Sequence, residues 1–187
     1  MKKFKQLAVL AILFSFTSLS AEDFDWSECW CNYGGGIEKG DLIINLDAGL
    51  YFTDFVYAAY NNFWFIPPVL LEVQFAQPIW KLPFTFGGYA GIRGHGYYYF
   101  GDETKFLEVF FGGEAAYHIR LPPEKLDVYV ITRIGGNIPV IRPTGIWVPE
   151  YFHVGEGIGA NWYFGKNFGL NFELGYPFTK VGVTLKF

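Results

Sequence analysis

The chain has 187 residues, is 51% hydrophobic and 21% aromatic, with 21 Phe, 13 Tyr and 6 Trp, and carries a net charge of −4. That acidic balance excludes nucleic acid, which requires a basic face, and so many rings exceed what a water-facing surface tolerates. Past residue 21 the sequence holds no long charge-free apolar run of the kind a membrane helix needs, so the apolar side chains must lie on something else.

The first residues, MKKFKQLAVLAILFSFTSLSA, place three lysines before an apolar run from Leu7 to Phe16 and then small residues. This is the build of a secretory signal peptide, read over residues 1–21. The run is shorter than the roughly 20 apolar residues that span a bilayer. Loss of Lys2, Lys3 and Lys5 lowers Lys+Arg from 14 to 11 against 18 Asp+Glu, a balance of −7. The remainder is the size of one domain.

Residues 22–40, acidic and aromatic without periodicity, read as a leader or cap before the fold, with Gly34–Gly36 as a flexible hinge. Within it Cys29 and Cys31 form C-x-C. A metal would need further ligands, and only Asp25, Glu28 and Glu38 are close, so a small loop disulfide or two free thiols are expected. A bond across one residue would be strained.

From residue 41 a period of two recurs. Leu42, Ile44, Leu46, Ala48 and Leu50 alternate with Asn45, Asp47 and Gly49; Leu71, Val73 and Phe75 with Glu72 and Gln74. Phe84, Phe86, Ala90 and Ile92 oppose Thr85, Tyr89, Arg93 and His95; Leu107, Val109, Phe111, Ala115, Tyr117 and Ile119 oppose Glu108, Glu114 and His118. Val128, Val130 and Ile134 oppose Tyr129, Ile131 and Arg133. In the sixth stretch Glu156 falls among Phe152, Val154, Ile158, Ala160 and Trp162, which predicts a bulge or another register. Phe168, Leu170, Phe172 and Leu174 alternate with Asn171 and Glu173, and the closing FTKVGVTLKF sets Val181, Val183, Leu185 and Phe187 against Lys180, Thr184 and Lys186.

These are eight predicted strands, each near the 9–11 residues of a tilted membrane strand. The links AQPIWKLP, RLPPEKL and FGKN are short; TDFVYAAYNNFWFIPP, GYYYFGDET and NIPVIRPTGIWVPE are longer and aromatic, while the short YPFT breaks the pattern. Short turns on one side and longer loops on the other mark bacterial outer-membrane barrels.

A barrel in water would turn its polar faces outward. Those faces carry mostly small residues and about one ionisable group per strand: Asp47, Glu72, Arg93, Glu108, Glu114, Arg133, Glu173 and Lys180. A wet surface is denser in charge, about 25–35%. A narrow lumen, where small residues fit and confined charges pair, matches better. Phe63–Trp64–Phe65, Tyr97–Phe100 and Trp147 fall near one set of strand ends, and Trp80, Trp162, Tyr163, Phe164 and Phe187 near the other, as two interfacial girdles would.

On strand pattern and the ending VGVTLKF, residues 41–187 resemble the small eight-stranded outer-membrane barrels, the OmpX, OmpA-domain and OmpW group. The resemblance implies an all-β, eight-stranded antiparallel up-and-down transmembrane barrel in the outer membrane of a diderm bacterium. It also implies that the terminal Phe187 is read by the outer-membrane insertion machinery.

Lipid-remodelling members of such groups use a Ser or a His–Ser pair. Past residue 21 this chain has one serine, Ser27, outside the barrel, and His95, His118 and His153 are scattered over three strands. No enzyme activity and no cofactor are expected. The expected constellation is instead a lumen network: Glu72, Glu108 and Glu114 around Arg93, with Arg133, Glu173 and Lys180 interlocked further round, since buried charges must pair. Two functions follow as expectations. One is a structural or surface-interaction scaffold in outer-membrane lipid with a largely plugged lumen, its aromatic loops meeting a host partner. The other is an OmpW-like passage for small apolar molecules, using a pocket at Phe63–Trp64–Phe65 and Trp147.

Overall fold

The computed structural model describes residues 26–51, 62–99, 102–141 and 152–187. Residues 1–25, with the expected signal peptide, and residues 52–61, 100–101 and 142–151, with Trp147, lie outside them. After one 3-10 turn, Trp26–Trp30, come eight strands: β1 Leu42–Tyr51, β2 Asn62–Ala76, β3 Phe84–Tyr99, β4 Asp102–Arg120, β5 Leu126–Ile141, β6 Phe152–Tyr163, β7 Phe168–Tyr176 and β8 Phe178–Lys186. Each pairs antiparallel with the next, and β8 returns to β1, closing an up-and-down barrel. The seam is tied by reciprocal Leu42 and Phe187 backbone bonds, both 2.9 Å. Among the described residues no helix is long and apolar enough to cross a membrane.

Register fixes the shape. From Leu46, partners run through Leu71, Ala90, Phe111 and Gly136 to Phe152; the other way they run through Val183 and Leu170 to Trp162. Both paths end on β6, at residues 152 and 162, so the ring closes with a stagger of 10 residues. Eight strands with that stagger tilt about 40° and stand roughly 8 Å from the axis. A long side chain on one wall therefore reaches the opposite wall.

The two faces are inverted relative to a soluble protein. Leu46, Leu71, Val73, Phe75, Ile92, Phe111, Val130, Ile134, Ile158, Leu170, Phe172, Leu174, Val181 and Leu185 are exposed on the outer wall. All eight ionisable residues predicted for the lumen are buried on the inner wall. The alternation of the sequence is thus the alternation of the barrel.

Three expectations are corrected. Phe63–Trp64–Phe65 stand in β2, not in a loop, because strand pairing continues past Pro67–Pro68 through register shifts between Ile66 and Val69 and between Asn62 and Trp64; bulges accommodate residues without an N–H. Likewise GYYY and NIPVI extend β3 and β5. β6 has no bulge at Glu156: its register with β5 is unbroken, and Glu156 faces outward between Thr132 and Tyr176. The wall is consequently uneven, with β2–β5 running 15, 16, 19 and 16 residues and β7 and β8 only 9 each.

Candidate functional site

The lumen is layered. At mid-height Arg133 of β5 is the hub: Nη2 donates to Glu72 at 2.9 Å, Nε donates to Glu114 at 3.0 Å, and Nη1 donates to Glu173. Lys180 of β8 donates to Asp47 at 2.7 Å and Glu72 at 2.5 Å, with Glu173 at 3.5 Å. Gln74 binds Glu114 at 2.7 Å, and Asn45 binds Glu72 at 3.2 Å. The expected grouping is corrected here. Arg93 pairs with Glu108, joined by Asn137, while Glu72 and Glu114 pair with Arg133. In so narrow a barrel the guanidinium of β5 crosses the axis to Glu72 of β2, a contact that neighbouring-strand reasoning does not see, and also reaches Glu173 of β7. Above it Leu70, Tyr89, Phe110 and Phe178 form an apolar cluster, with His153 on the Tyr89 hydroxyl at 2.6 Å.

Below lies a polar relay that sequence reasoning missed. Thr85 Oγ1 is 3.0 Å from His118 Nε2, and His118 Nδ1 is 2.8 Å from Asp127 Oδ1. All three are buried. Gln74 gives its amide nitrogen to Glu114, and its oxygen accepts from the Thr85 hydroxyl at 2.7 Å. Asn161 continues from Asp127 at 3.0 Å to Asn171 at 2.7 Å. The signal was present, since Thr85, His118, Asp127, Asn161 and Asn171 all have lumen parity, but their convergence depends on the stagger.

The bottom mouth, on the short-turn side, is occupied by the segment preceding β1. Tyr33 donates to the Phe84 carbonyl at 2.5 Å, and its ring lies 5.4 Å from that of His118. Ile37 packs with Ile43, Ala76 and Tyr163. Lys186 donates to the carbonyls of Gly35 (3.1 Å) and Gly36 and stands 4.8 Å over the Tyr163 ring. Glu28 meets Arg120 at 2.6 Å, and Tyr117 donates to the Trp30 carbonyl at 2.7 Å. Gly34–Gly36 is therefore a packed element, which corrects the hinge reading. Gly35 and Gly36 have φ of +62° and +67°, and a β-carbon on Gly35 would strike the Tyr163 ring. Burial, with Asp127 and Asp41 nearby, pushes the Tyr33 phenol up to about 12.

The remaining predicted residues are placed as follows. Cys29 and Cys31 are free thiols, the first buried and the second exposed. Trp80, 91% exposed, and Phe164 and Phe187 ring the bottom rim, whereas Tyr163 departs from that girdle and turns into the lumen. Among the described residues no group of three or more His, Cys, Asp or Glu is arranged to hold a metal. No protein-family model, curated protein or solved structure matches the chain.

Proposed function

We propose that this chain is an integral outer-membrane barrel that serves as a structural or surface-interaction scaffold. The observation that carries the reading is the inversion of faces: Leu, Val, Ile and Phe outside, paired Glu, Asp, Arg and Lys inside. In water such an outer wall would aggregate. In lipid it is what a closed barrel presents, because closure satisfies every strand edge. Trp80, Phe164 and Phe187 at the bottom rim suit an interfacial girdle, and Phe187 at the end of β8 suits recognition by the insertion machinery.

A lumen built of cross-linked ion pairs supports a plugged scaffold over a passage. The hydroxyl–imidazole–carboxylate set supports structure over catalysis, since all three groups are buried and the Thr85 hydroxyl donates to Gln74. Folding the protein into vesicles containing brominated lipid tests the placement. Strong quenching of Trp emission is expected, and unquenched Trp emission from folded protein overturns it. Single-channel recording separates the two modes of use: a silent bilayer supports the scaffold, and stable unitary currents overturn the plugged lumen.

A further inference from the structure

We infer that residues 26–41 form a latch on the closing seam of the barrel, a strap that seats only after β8 has paired with β1 and then holds the two together. Every pairing in the closed wall joins strands that follow one another in the chain, except that of β8 with β1. No turn keeps those two strands side by side once they part, so re-pairing them closes a loop as long as the whole barrel. Parting also bares two unpaired strand edges. At its lower end the seam is held by the reciprocal Leu42 and Phe187 backbone bonds.

The segment is built across that seam. On one side Lys186, the last residue of β8, is buried and donates its ammonium to the Gly35 carbonyl at 3.1 Å and to that of Gly36. On the other side Gly40 donates to the Ala76 carbonyl of β2 at 2.8 Å, and the Asp41 carbonyl accepts from Ala76 at 2.8 Å. Between these holds Ile37 packs against Ile43 of β1 and Tyr163 of β6. Upstream the segment meets β3 through Tyr33 and the Phe84 carbonyl, and β4 through Trp30 with Tyr117 and Glu28 with Arg120. The glycines set the depth of the seat. A β-carbon on Gly34 would lie 2.7 Å from the Leu126 carbonyl at the start of β5, and one on Gly35 would lie 2.8 Å from the Tyr163 ring.

The seat is thus assembled from β2, β3, β4, β5, β6 and β8. Its last part, Lys186, lies 151 and 150 residues from its partners Gly35 and Gly36. A contact of that separation forms late, after the pairing of successive strands has met most of its loop-closure entropy. Seating therefore follows closure, and β8 cannot then leave β1 without breaking the Lys186 bonds. Contacts made after the transition state act on the unfolding rate and leave the folding rate alone. Cys29, 3% exposed within the seated segment, records the event. The latch acts on the closed wall itself, whichever medium the outer face meets.

The test refolds the full chain carrying Cys31→Ser, which leaves Cys29 as its one thiol, by dilution from urea into detergent. Strand formation is followed by far-ultraviolet circular dichroism, and seating by timed maleimide pulses on Cys29. The strand signal should be complete before Cys29 becomes protected. Lys186→Met and Gly35→Ala should each unfold about tenfold faster in urea, refold at the parent rate and leave Cys29 open to alkylation. Protection of Cys29 no later than the strand signal overturns the order and makes the segment part of the folding nucleus. An unchanged unfolding rate in a variant whose Cys29 has become reactive overturns the latch and leaves a passive cover. The order of events is read on the Cys31→Ser chain alone, so it still decides where a further substitution prevents folding.

Discussion

Arg133 shows how much one residue carries in this lumen. It is the one side chain that spans Glu72, Glu114 and Glu173, on three different strands. Replacing it by Met strands three buried carboxylates with Lys180, and breaking a buried pair in this way costs about 3–5 kcal/mol. The urea midpoint in detergent should fall accordingly, and Arg133→Lys should recover only part of it because an ammonium cannot fork. Glu108→Lys, which sets two cations face to face at Arg93, should impair folding before it alters permeability. At the mouth, Tyr33 gives a pH dependence of defined sign. Its phenol titrates near 10 when unfolded and about 12 when seated, so the folded state holds the proton more tightly. The stabilisation is complete below pH 10 and is lost as pH rises from 10 towards 12. In Tyr33→Phe the loss of midpoint between pH 10 and 12 should be smaller than in the parent chain.

At the scale of elements, the segment before β1 is held by shape at its glycines. Gly35→Ala forces a β-carbon into the left-handed region and against Tyr163, at about 1–2 kcal/mol for the backbone alone. Cys29, buried within that same segment, reports on its seating: alkylation should accelerate about tenfold in the variant, with the barrel still folded. The strands themselves were legible, because a period of two over seven or more residues has one reading, and the eight ionisable groups assigned to the lumen by parity are all buried. Strand ends were not. Pro67–Pro68 and Pro139 look like loop signals, yet the wall of β2–β5 continues through them. Nor was the packing of Gly34–Gly36 legible, since a glycine run reads the same whether it is flexible or wedged between Asp127 and Tyr163. The reach of Arg133 to Glu72 and the Thr85–His118–Asp127 relay depend on a stagger of 10 residues, which no single strand encodes.

For the whole molecule the central claim is that the apolar wall faces lipid. Ile158 stands near mid-height of that wall and is exposed; Ile158→Arg should cost about 2–4 kcal/mol in a bilayer and next to nothing were the wall in water. Glu156, the acidic interruption two residues away, should give the opposite sign, with Glu156→Leu raising stability in vesicles. The most direct measurement is electrophoretic: fold the chain in detergent and run it in SDS with and without boiling, alongside far-ultraviolet circular dichroism. The account predicts a compact, faster-migrating unboiled band that shifts on boiling, with a strand-rich spectrum. Identical mobility before and after boiling, together with solubility in plain buffer, would contradict it and turn the faces the other way.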